Sequence, residues 1–189
     1  GGGNGPQNYG IHTMQQAEVS AGAAGTVSLI GVGGDGSNEK HMGVFINDAT
    51  ITSSGGDVSV IGTGGQNSSK DAFGVLVENN ARVTAGGNGG IDVRGVSRSG
   101  SDANGVVVAD GGQLTSAAGK LSVQGTAGNT ASHGVVVTST ISHTADDGKG
   151  QLEIATDKLS FFGSGMIDAG SNTARISPLT ANAPIALGS

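Results

Sequence analysis

One short cassette, Gly-apolar-x-apolar, recurs along this chain at nearly constant spacing. It stands as Gly10-Ile11-His12-Thr13, Gly43-Val44-Phe45-Ile46, Gly74-Val75-Leu76-Val77, Gly105-Val106-Val107-Val108 and Gly134-Val135-Val136-Val137. The steps between the glycines are 33, 31, 31 and 29 residues. Self-similarity at a period of about 20–50 residues marks a chain that stacks one supersecondary unit on the next.

Each cassette is followed by two further short apolar segments. The second set is Val19-Ser20-Ala21, Ile51-Thr52-Ser53, Val83-Thr84-Ala85, Leu114-Thr115-Ser116 and Ile141-Ser142-His143. The third is Val27-Ser28-Leu29, Val58-Ser59-Val60, Ile91-Asp92-Val93, Leu121-Ser122-Val123 and Leu152-Glu153-Ile154. There a polar residue sits between two apolar ones, as a strand with one buried face requires. Turn formers such as Asn79-Asn80 and Asp110-Gly111-Gly112 separate the segments. Polar stretches such as Gly62–Lys70 return the chain to the next cassette, and no segment carries a 3.6-residue period. The pattern predicts an all-β, right-handed parallel β-helix (β-solenoid) with three short strands per coil and about 31 residues per repeat. Residues 1–158 read as a five-coil array and 159–189 as irregular terminal coils that close the repeat block, within one continuous solenoid. Residues 1–8 hold the phase of a return loop, so the chain reads as a segment of a longer array.

Composition narrows the function classes. Of 189 residues 37 are Gly, yet without a three-residue period and with 3 Pro, which excludes collagen. A net charge of −6 and nine scattered basic residues argue against a nucleic-acid partner. The absence of Cys removes disulfides and thiolate metal sites. Asp48 and Asp110 share a corner phase with Asn79 and Asn80 between them, which suits turns better than the paired carboxylates of a glycosidase. Asp146-Asp147 read as a solvated loop. Gly33-Gly34-Asp35-Gly36 matches a calcium-binding nonapeptide only once, without its tandem period. His41 and His133 fall near Tyr9, Phe73 and Asn104 in phase, which suggests a column of bulky corner residues. Gly163-Ser164-Gly165 reads as a loop, not a nucleophile elbow. The chain therefore reads as a non-enzyme with no cofactor or metal.

Two columns remain. If Val44, Val75, Val106 and Val135 point inward, so do Ile46, Val77, Val108 and Val137, and His12, Phe45, Leu76, Val107 and Val136 point outward. Such an apolar stripe is either covered by the return loops or is a lateral contact for like fibres or a target. Ser20, Thr52, Thr84, Thr115 and Ser142 form an outward hydroxyl ladder, with Ala21, Ser53, Ala85, Ser116 and His143 read as its companion rank.

The cassettes Gly-Val-x-Val, Ile-Thr-Ser-x-Gly-Gly and Leu-Ser-Val-x-Gly are similar to repeats of large bacterial exoproteins of the filamentous haemagglutinin family. The last stretch, Ala174 to Gly188 with Ser177-Pro178 and Ile185-Ala186-Leu187-Gly188, resembles the segment that closes their repeat blocks. The resemblance implies a secreted, cell-surface fibre exported through an outer-membrane transporter and serving attachment, aggregation or biofilm formation. Its partners would be neighbouring coils, like fibres, and host or cell-surface glycans or proteins. The alternatives are a β-helical carbohydrate-active enzyme or carbohydrate-binding module, and a self-assembling extracellular fibre subunit.

Overall fold

Three short strands cannot bury their apolar sides within one repeat, so successive repeats must stack. The computed structural model has this arrangement throughout the residues it describes, 5–144 and 150–187. No helix occurs among them. The strands form three parallel sheets, and each coil contributes one strand to each sheet. The first sheet has seven strands and starts with Ile11–Thr13, Val44–Asn47 and Val75–Glu78. The second has six and starts with Glu18–Ala21, Thr50–Ser53 and Arg82–Ala85. The third also has six and starts with Val27–Val32, Val58–Thr63 and Ile91–Val96.

Register follows the cassette. Val44 pairs with Val75 and Val75 with Val106, each 31 residues on. The core is a set of like-on-like columns, among them Val44, Val75, Val106 and Val135 from the first sheet and Ile51, Val83, Leu114 and Ile141 from the second. These side chains are fully buried, and each stabilises the stack by about 1.5–3 kcal/mol over an exposed position. Three buried polar residues, Ser53, Ser116 and His143, sit at the corner between the second and third sheets. Ser53 Oγ donates to the Gly25 carbonyl at 2.7 Å, and Ser116 Oγ donates to the Gly119 carbonyl at 2.7 Å. His143 bonds the same Gly119 carbonyl through Nε2 at 2.9 Å, with Asn172 Nδ2 3.0 Å from Nδ1. A parallel coil needs such bonds because its corners leave carbonyls that no ladder satisfies.

Residues 158–177 add a sixth set of three strands, Lys158–Phe161, Met166–Asp168 and Thr173–Ser177, and Ala186–Leu187 pairs beyond it. Val135 pairs with Leu159, only 24 residues on. The shortening comes from one place. Earlier coils leave the third sheet, run through a side lobe and re-enter at the cassette glycine, whereas the fifth passes directly through Thr156-Asp157-Lys158.

The third-sheet strands run three residues further than the alternation Val-Ser-Val suggested. Gly62-Thr63, read from the sequence as return loop, is strand. This extension aligns a second glycine column, Gly31, Gly62, Gly95 and Gly125, with the cassette glycines across the neck of each lobe. A Cβ on Gly95 would lie inside the envelope of the Gly105 carbonyl oxygen and 2.6 Å from its carbon. The coil therefore closes backbone against backbone, and side chains are excluded at both sides of the neck.

Candidate functional site

The outward stripe of the first sheet is the floor of a second apolar core. Phe45, Leu76, Val107 and Val136 are all buried, together with Met42, and Tyr9, Phe73 and Ala109 pack against them. The residues just before each cassette glycine supply the cover, because the lobe brings its last turn back over the sheet. These four positions are thus not a lateral contact surface. His12, at the first coil, is exposed. Its ring stacks on Phe45 with centroids 4.6 Å apart and planes 6° apart, and Tyr9 meets it edge-on at 4.8 Å. The partial cover of its ring holds the His12 imidazolium below its usual range. Burial pushes the Tyr9 phenol up, helped by the negative charges of Glu78 and Glu39.

The lobes stack on one another as a ridge beside the coil. Gly36 N donates to the Gln66 carbonyl at 3.2 Å, Lys40 N to the Lys70 carbonyl at 2.9 Å and Asp71 N to the Ser101 carbonyl at 3.0 Å. Asp35, the lone match to a calcium motif, accepts from Gln66 N at 2.8 Å and so stitches two lobes together. Gln7, Lys40, Asp71 and Asp102 repeat one left-handed turn, with φ of 61°, 63°, 54° and 54°. Burial raises the Asp71 carboxyl, partly countered by Lys70.

The histidine column is corrected by one residue. Tyr9, Met42, Phe73, Asn104 and His133 immediately precede the paired cassette glycines, and His41 belongs instead with Ala72, Ala103 and Ser132 inside the lobe. There His41 is 0% exposed, and neither ring nitrogen has a hydrogen-bond partner among the described residues. His133 is half-buried, its ring 6.2 Å from that of Phe162. Burial holds its imidazolium below the usual range, with the charge of Lys158 acting in the same direction.

Among the described residues the acidic side chains stand mainly at corners and strand ends. Gln15, Asp48, Asn79 and Asp110 occupy one corner in the left-handed region, with φ of 58°, 45°, 54° and 46°. Asn and Asp tolerate that conformation better than other side chains, which accounts for their recurrence. Glu78, at the end of its strand, accepts from Asn47 Nδ2 at 3.2 Å. Burial first and the Asp110 charge second push its carboxyl up, against the Asn47 bond. Among the described residues no three His, Cys, Asp or Glu side chains group as metal ligands. Asp146-Asp147 lie outside the described residues. Ser164 donates its hydroxyl to the Thr138 carbonyl at 3.3 Å in a surface loop.

The hydroxyl ladder is present, with Thr84 Oγ1 donating to Thr52 Oγ1 at 2.8 Å and Thr115 3.2 Å from Ser142. Its companion rank is different from the one expected. Ala21, Ser53, Ala85, Ser116 and His143 point inward, because they lie two residues after the inward Val19, Ile51, Val83, Leu114 and Ile141, and the outward neighbours are Glu18, Thr50, Arg82, Gln113 and Thr140. A face interrupted by Arg82, which donates to Gln113 at 2.7 Å, is not a flat hydroxyl lattice.

Sequence reading missed Asp157. Its carboxylate accepts from Leu179 N and Thr180 N at 2.8 Å each and from Thr180 Oγ1 at 2.6 Å. These bonds, the Thr180 hydroxyl first, hold its carboxyl below the usual range and pin the segment after Ser177 to the short fifth-coil turn. An Asp at a place where earlier coils have a lobe was the available signal. No family model, curated protein or solved structure matches the chain.

Proposed function

We propose that the chain is a stalk segment of a secreted bacterial surface fibre of the adhesin type. Its work is mechanical, holding binding regions away from the cell for attachment, aggregation or biofilm formation. The observation that carries this reading is axial regularity. Each coil adds about 4.8 Å and pairs with its neighbours through all three sheets, so length can grow coil by coil without a new kind of interface. The likeness of the cassettes and the closing segment to filamentous haemagglutinin-type exoproteins supplies the cell-surface part. In this reading the chain has no catalytic role, lies outside the cell, and meets an outer-membrane transporter during export.

The test is the gene around this segment together with antibody labelling of intact cells. A longer reading frame with further repeats and a secretion signal, and labelling without lysis, are expected. A frame that ends near these residues without such a signal, with labelling only after lysis, contradicts the proposal.

A further inference from the structure

The outer face of the third sheet carries an open cleft of about 460 Å³, lined by polar and apolar groups, that spans the second to fourth coils. That volume lies within the range of small-ligand clefts, about 300–1,000 Å³. Its floor exists because one axial column runs Asp57, Gly90, Lys120: the middle member has no side chain. One wall is a corner loop. The third coil takes one residue more from Ala85 to Ile91 than its neighbours take from Ser53 to Val58 or Ser116 to Leu121, and exposed Asn88 stands on that loop. Ser59, Asp92 and Ser122 line the other side in paired register, with Arg94 beyond them.

The charges inside the cleft are already compensated. Arg94 Nε lies 2.9 Å from Asp92 Oδ2, and Lys120 Nζ lies 2.6 Å from Glu153 Oε2. Asp57 spends one oxygen on Gly90 N at 2.8 Å. Left without a partner among the described residues are Asp57 Oδ2, the Asn88 amide, the outer Arg94 nitrogens and the hydroxyls of Ser59 and Ser122. That set accepts and donates in about equal measure. An anion would meet Asp57 with both cations engaged, a metal ion would find one half-used carboxylate, and no aromatic ring is present for an apolar ligand. A ligand whose every polar group both donates and accepts fits best. We propose that this cleft binds a neutral saccharide through hydrogen bonds from Asp57, Asn88, Arg94 and the two serines. The site goes beyond the fibre reading and stands or falls without it, since binding is read on the purified chain and export on cells.

The experiment is titration of the ¹⁵N-labelled chain with glucose, galactose, N-acetylglucosamine and lactose, followed by amide shifts. Saturable shifts at residues 57–59, 88–94 and 120–122 are expected with at least one sugar. Asn88→Ala touches no internal bond, and Asp57→Asn keeps an oxygen for Gly90 N. Each should fold like the parent and weaken binding about tenfold, the worth of one lost hydrogen bond to a charged or well-placed group. No shift at these amides at millimolar sugar would overturn the proposal. Binding unchanged in both variants would do the same.

Discussion

Replacing Gly95 with alanine should destabilise the coil severely, although it adds a single methyl group. The new Cβ would fall inside the Gly105 carbonyl oxygen, 2.6 Å from its carbon and 2.7 Å from Val106 Cγ2, where ordinary contact is 3.4–4 Å. The neck would have to open by about an ångström. It cannot do so freely, because Gly105 N donates to the His133 carbonyl at 3.0 Å and its own carbonyl accepts from Val75 N at 2.9 Å. Overpacking costs about 1–3 kcal/mol, and a strained or broken buried backbone bond adds about 1 kcal/mol. A loss of about 3 kcal/mol or more follows. Gly22→Ala is the control, since nothing lies within 4 Å of its Cβ and its φ is not left-handed. It should be neutral or stabilising by up to about 1 kcal/mol, through a less flexible unfolded chain. Urea denaturation followed by far-UV circular dichroism gives both numbers from the shift in midpoint at constant slope. If Gly95→Ala stayed within about 0.5 kcal/mol of the parent, a surface-like effect, the backbone-to-backbone neck would be wrong.

Leu76→Ala tests whether the outward stripe is a core. Burial under the lobe predicts a loss of about 2–4 kcal/mol, against roughly 0.5 kcal/mol for a free surface position, in the same urea assay. His41→Leu removes two buried ring nitrogens that lack partners and keeps an apolar filling in the lobe. An unsatisfied buried polar group costs about 1–3 kcal/mol, so the variant should gain about 1 kcal/mol, and a comparable loss would mean the ring is satisfied. Glu78 has a folded-state carboxyl raised by burial, so the native state holds its proton to higher pH than the unfolded chain. Stability from this group falls as pH rises from the ordinary glutamate range through the raised one. Glu78→Gln should flatten that fall in melting temperature while keeping the Asn47 bond, and an unchanged pH profile would refute the assignment.

Much of the coil was legible in the sequence for one physical reason. Like strands stack on like strands, so every buried column repeats its residue type at the period, and Val44, Val75, Val106 and Val135 announce themselves. What escaped was whatever the column logic does not constrain. Gly31, Gly62, Gly95 and Gly125 are as periodic as the cassette glycines, but among 37 glycines their closeness across the neck is a three-dimensional fact. Inward Ser53, Ser116 and His143 broke the rule that core positions are apolar, because corner carbonyls need donors there. The sixth coil was legible only as an irregular terminal one, since Lys158 stands where a cassette glycine would, and a direct turn through Thr156 needs no neck. Periodicity assigned an outward side to Phe45 and Leu76 correctly. It carries no information on what folds over them.

The most direct test of the stacked coil uses the absence of cysteine from the chain. Thr84 pairs with Thr115 in the next coil and with Thr52 in the previous one, at a spacing of about 4.8 Å. That lies within the Cα separation a disulfide accepts, about 4.4–6.8 Å. Thr52 and Thr115 are two coils apart, at about 9.6 Å, twice that spacing. The double variant T84C/T115C should oxidise to a monomeric, intramolecular disulfide with unchanged circular dichroism. The pair T52C/T115C should remain as free thiols under the same conditions. Cross-linking in the second pair, or none in the first, would contradict a parallel solenoid advancing one strand per repeat.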